Sequence, residues 1–138
     1  MVWPQPLEGI EAFMERSRRA EDVLVTVIEV LRSGEAIGLC ALEAIDSRTR
    51  AAELGIWIGR PHWDRGYGTD ATRTICRYGV RSLNLHRIQL HVIRDNTRAV
   101  RAYEKAGFRP EGTLREAMFL GGRRVDLLVM GLLSRELG

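Results

Sequence analysis

A mixed α/β domain built around one sheet is the expectation for this chain, and three observations carry it. Helix-like and strand-like stretches alternate along its second half. One stretch, Arg87 to Ile93, alternates apolar residues with a period of two at Ile88, Leu90 and Val92. A third stretch joins an apolar run to a helix through a glycine-rich loop, the connection that brings a following strand back parallel to the first.

The elements follow in order. Residues 6–20 read as a helix: Pro6 suits an early helical position, and Leu7, Ile10, Phe13 and Met14 share a face. Residues 23–31 are rich in β-branched side chains and read as a strand, which Ser33-Gly34 turns into a second at 36–45. The polar stretch 46–50 makes the next turn, before a third strand at 53–58. A helix over 68–83 should bury Ala71, Ile75, Gly79 and Leu83. After the strand at 87–93, Asn96 can cap a helix at 97–106 that Gly107 ends. Residues 108–120 and 125–133 form a closing hairpin about Gly121-Gly122.

The chain has 138 residues, 45% apolar and 28% charged, which suits a single globular domain over 1–138. No apolar run approaches the roughly 20 residues that cross a bilayer. The opening MVWPQPLEG has neither the basic nor the apolar part of a signal peptide, which makes the cytoplasm the expected location. Cys40 and Cys76 stand in unrelated contexts and read as small buried apolar residues. His62, His86 and His91 lack a metal-binding spacing and read as surface or pocket-rim residues, so no metal is expected. The net charge of +3 suits an anionic small molecule better than nucleic acid.

The most telling stretch is AAELGIWIGRPHWDRGYGTDA. Glu53 heads an apolar run, Gly59 and Pro61 break it, and Arg65-Gly66-Tyr67-Gly68-Thr69 stands where the helix should begin. A strand, a glycine loop and a helix N-terminus aim unpaired N–H groups and the positive end of a helix dipole at one spot. Glycine allows close approach of a phosphate, and Arg65 adds a bidentate charge.

Three segments of the chain resemble the GNAT acetyltransferases, in the branch that includes ribosomal-protein N-terminal acetyltransferases. They are AELGIWIGRPHWDRGYGTDA, HRIQLHVIRDNTRAVRAYEKAGF and EGTLREAMFLGGRRVDLLVMGLL, spanning about residues 52–133. The resemblance implies a GNAT-like acyl-CoA N-acyltransferase fold with acetyl-CoA as co-substrate. It implies that Arg65, Gly66, Tyr67, Gly68 and Thr69 wrap the CoA pyrophosphate. Ile58 and Gly59 would pair with the pantetheine arm as with an added strand, and Asn96 would reach that arm as well. Tyr103 would lie beside the thioester sulfur, and Glu53 stands where relatives often place the general base. Trp63 opens this cofactor-binding loop, where the wider family usually has Gln or Arg and this branch often has Trp. The family's first strand and helix would precede the 6–20 helix, so the expected fold is N-terminally shortened, with the acceptor left open.

Acyl transfer to an amine needs a neutral nucleophile. An α-amine, with a pKa near 7.7–8.0, is closer to that state than a lysine near 10.4, which favours a protein N-terminus or a small amine as acceptor. Glu53 would take the proton, an N–H near Ile58 would steady the oxyanion, and Tyr103 would protonate the sulfur. The alternative is a CoA-binding or interaction module with an incomplete acceptor site. An exposed edge left by a shortened sheet predicts a homodimer.

Overall fold

The computed structural model describes residues 22–137. It holds six strands and two α-helices: β1 (Leu24–Glu29), β2 (Ala36–Asp46), β3 (Ala51–Ile58), α1 (Tyr67–Ser82), β4 (Arg87–Ile93), α2 (Thr97–Lys105), β5 (Arg109–Leu120) and β6 (Arg123–Leu133). These lie within a residue or two of the stretches expected from the sequence. The helix expected at 6–20 falls outside the described residues.

The strands form one sheet in the order β1-β2-β3-β4-β6-β5. Every neighbouring pair is antiparallel except β3 and β4, which run parallel as the crossover through α1 requires. The closing hairpin turns at Gly121 and Gly122, both at positive φ as its tight reversal demands. It is β6, the second strand of that hairpin, that docks against β4, leaving β5 at the sheet's edge.

The core lies mainly on one face of the sheet. Leu42, Leu54, Ile88, Leu90, Met130 and Leu132 project there and are at most 1% exposed. Helix α1 covers them with Thr72, Ile75, Cys76 and Gly79. Ile75 and Gly79 face inward as their spacing predicts, but the stripe is rotated. Thr72 and Cys76 take the deepest places, and Ala71 and Leu83 are only half-buried. At Gly79 a Cβ would come within 3.0 Å of Leu85 Cδ1 and 3.1 Å of Leu42 Cδ1, so the missing side chain lets the helix settle onto the sheet. Cys40 and Cys76 are buried free thiols, and burial raises the pKa of both.

Pairing between β3 and β4 is brief. It runs Ala51↔Arg87, Ala52↔Ile88 and Glu53↔Gln89 and then stops. Beyond Glu53 the two strands part and open a fork in the middle of the sheet.

Candidate active site

The fork is the candidate site. A cleft of about 770 Å³ opens where β3 and β4 part, with α2 along one wall and the start of α1 at its mouth.

On its β3 limb, hydrogen bonding decides which backbone groups face the cleft. Gly59 N–H donates to Ile37 O on β2 at 2.8 Å, and Gly38 stands opposite Ile58. Residues in antiparallel strands alternate between bonding across the ladder and turning away from it. Gly59 is therefore committed to β2, while the N–H and C=O of Ile58, and of Ile56 two residues back, turn towards the fork. The Ile58 carbonyl accepts a 2.8 Å hydrogen bond from Trp63 Nε1, which closes the loop over the strand end. The Gly59 carbonyl accepts from His62 N–H.

At the mouth, Gly66 precedes α1 with φ 82°, a conformation that side chains disfavour. Gly66 takes the N-cap position without a capping side chain, so the first amides of the helix have no side-chain acceptor. Trp63, Gly66, Tyr67, Gly68 and Thr69 all border the cleft. Arg65 is exposed and lies outside its lining. Trp63 is held by the Arg98 guanidinium 3.6 Å from its ring centroid, with Arg60 at 5.5 Å.

The α2 wall carries Asn96 and Tyr103. Asn96 Oδ1 caps the helix by accepting from Ala99 N–H at 3.3 Å. Tyr103 packs edge-on to Phe108, with ring centroids 6.1 Å apart. Its hydroxyl has no hydrogen-bond partner among the described residues. Burial, and secondarily the nearby Cys40, hold its phenol well above the ordinary value of 10.0. Two bonds tie this wall to α1: Thr69 Oγ1 to Ala102 O, and Arg73 Nη2 to Lys105 O at 2.7 Å.

Glu53 sits at the vertex of the fork, on the last paired rung, and not in the cleft lining. Its Oε1 lies 2.8 Å from His91 Nδ1, and it is His91 that borders the cleft. Burial acts to raise the Glu53 carboxyl. The His91 hydrogen bond is foremost among the influences that lower it, and the balance lies below the ordinary carboxylate value.

The structure thus gathers Ile58, Trp63, Gly66, Tyr67, Gly68, Thr69, Asn96 and Tyr103 around one cleft, and leaves Glu53, Gly59 and Arg65 beside it. Sequence reasoning missed the Glu53–His91 pair and the basic side of α2, where Arg98, Arg101 and Lys105 border the cleft. The pair had a signal. With β3 and β4 parallel and Glu53 level with Gln89, strand alternation puts His91 on the same face one step further on.

Comparison with known proteins agrees with this geometry. Residues 1–109 match the acetyltransferase (GNAT) domain. The chain is 37% identical over 109 residues to the uncharacterised N-acetyltransferase p20 of Bacillus licheniformis, covering 79% of this chain and 61% of that protein. It is 39% identical over 100 residues to a spermidine N(1)-acetyltransferase of Vibrio cholerae, covering 72% of this chain and 58% of that one. It therefore spans about three-fifths of the length of these relatives, at 61% and 58%. The crystal structure of spermidine N-acetyltransferase from Vibrio cholerae, in complex with CoA and spermine, superposes with a TM-score of 0.86. It shares 30% sequence identity over 97% of this chain and 79% of that chain. With a domain match over most of its length and a fork, loop and helix in the matching fold, the chain belongs to the GNAT acetyltransferase family.

Proposed function

We propose that the chain transfers the acetyl group of acetyl-CoA to a primary amine, either a protein N-terminal α-amine or a small-molecule amine, by direct attack in a ternary complex. The observation that carries this reading is the fork. β3 and β4 separate after three rungs and leave backbone groups of Ile56 and Ile58 facing a gap, with free helix amides at one end and a tyrosine on the wall. An extended amide-bearing arm can pair with such an edge as an added strand would. A pyrophosphate suits the amides of Gly66, Tyr67, Gly68 and Thr69.

The remaining roles follow from position. Trp63, pinned by Arg98, shapes the loop that receives the phosphates, and Arg65 adds long-range attraction from outside the cleft. Gly59 sets the turn by which β3 leaves the sheet. Asn96 fixes the start of α2 and offers its side-chain amide to the arm. Tyr103, kept protonated by burial, gives its proton to the departing CoA sulfur. Ile58 N–H faces the place where the carbonyl oxygen gains charge. Glu53 supplies the negative charge at the base end of the cleft through its bond to His91.

Relatives named spermidine acetyltransferases make a polyamine the first acceptor to try. A cytoplasmic setting fits a donor drawn from the acetyl-CoA pool. Calorimetric titration with acetyl-CoA tests the donor half. Release of free thiol against spermidine, other small amines and N-terminal peptides then tests the acceptor half. Binding with thiol release for one acceptor class is the expected result. Binding with no release to any amine would replace the enzyme with a CoA-binding module.

A further inference from the structure

We infer that His91, through Nε2, is the group that accepts the proton from the attacking amine, and that Glu53 is a positioning residue acting through it. This deepens the acetyltransferase reading and rests on it.

Three placements carry the inference. Glu53 lies on the last rung where β3 and β4 still pair, and its side chain does not border the cleft. His91 lies one strand step beyond that rung and does border it. The two are joined at 2.8 Å between Glu53 Oε1 and His91 Nδ1. An ionised carboxylate can only accept, so the proton on this ring belongs at Nδ1, which leaves Nε2 with a lone pair. Nε2 has no hydrogen-bond partner among the described residues. Nor is it sealed off: among those residues, the one buried side-chain nitrogen without a partner is His62 Nδ1. The imidazole is thus held in one tautomer with its basic nitrogen open, the arrangement in which a carboxylate orients a histidine base.

The step balances within the groups present. The amine nitrogen bonds to the acetyl carbonyl carbon, and its proton passes to His91 Nε2. The resulting imidazolium keeps its Nδ1–H on the Glu53 carboxylate. When the tetrahedral intermediate collapses, the C–S bond breaks and the sulfur takes the Tyr103 phenol proton.

The test uses the full chain with spermidine and an N-terminal peptide as acceptor probes, and acetyl-CoA binding by calorimetry as the check on folding. His91→Gln should lower kcat about a hundredfold, the low end of what a positioned base contributes, with acetyl-CoA affinity within about threefold of the parent. Glu53→Gln keeps the histidine but loses its orienting charge, and should lower kcat by only about tenfold with KM little changed. Free imidazole should restore a substantial part of the rate to His91→Gly and none to Glu53→Gln, a rescue that a merely structural histidine would not show. The inference is overturned if Glu53→Gln costs more than His91→Gln, or if His91→Gln stays within about threefold of the parent. A parent protein that fails to bind acetyl-CoA overturns the acetyltransferase reading together with it.

Discussion

At the scale of single residues, the proposed acid role of Tyr103 is the most direct to test. Its ring is anchored on Phe108 and its hydroxyl is unclaimed among the described residues, so removing the oxygen should leave the packing intact. Tyr103→Phe is expected to lower kcat by about two orders of magnitude while acetyl-CoA affinity changes little, checked by steady-state kinetics beside calorimetry. Comparable losses of both would remove the acid role. Burial raises the phenol pKa, and an acid with a raised pKa stays protonated to higher pH. Activity should therefore show no loss from phenol ionisation as pH climbs towards the ordinary tyrosine value of 10.0. Tyr103 and Gly66 were legible in the sequence because a motif marks them. His91 was not, because what distinguishes it is a partner 38 positions earlier in the chain. Isolated histidines look alike until strand register is known.

At the scale of elements, α1 and α2 are tied to each other by Thr69 to Ala102 and Arg73 to Lys105, and the loop before α1 is tied to the end of β3 by Trp63. Gly79 permits close approach of α1 to the sheet, so Gly79→Val should overpack Leu42 and Leu85. A loss of about 1–3 kcal/mol is expected, read from the urea midpoint. The loop is latched to α2 by Arg98 stacking on Trp63, with Asp64 at 4.0 Å from the same guanidinium. Arg98→Ala should weaken acetyl-CoA binding roughly fivefold, equivalent to about 1 kcal/mol of stacking, with little effect on the melting temperature. Strand and helix limits were readable from periodicity and caps; Asn96 and Gly107 mark the ends of α2 as their residue types suggest. The docking of β6 rather than β5 beside β4 was not readable. Both strands of a hairpin carry apolar residues, and only the assembled core selects between Met130 and Leu132 on one and Leu114 and Phe119 on the other.

At the scale of the whole molecule, charge and edges matter. The net charge of +3 is modest, but Arg98, Arg101 and Lys105 place positive charge along the cleft. Affinity for acetyl-CoA, a polyanion, should fall several-fold between low and high salt in calorimetry, because these groups are accessible to screening ions. β5 closes the sheet with nearly every residue exposed and Phe119 65% exposed, an edge suited to pairing with a second copy of the chain. Light scattering behind size exclusion should show a dimer, and a monomer at high concentration would exclude it. The three-rung contact between β3 and β4 has a consequence for motion. It is the shortest pairing in the sheet, and it divides the sheet into a β1-β2-β3 flap and a β4-β6-β5 flap. Without a donor the flaps should breathe about that line, and the amides of Ile56 and Ile58 should exchange their hydrogens quickly. With acetyl-CoA bound, the same amides should become protected and the melting temperature should rise with donor concentration. On the proposed reading, the donor would then double as an added strand, bridging the two flaps for as long as it stays bound.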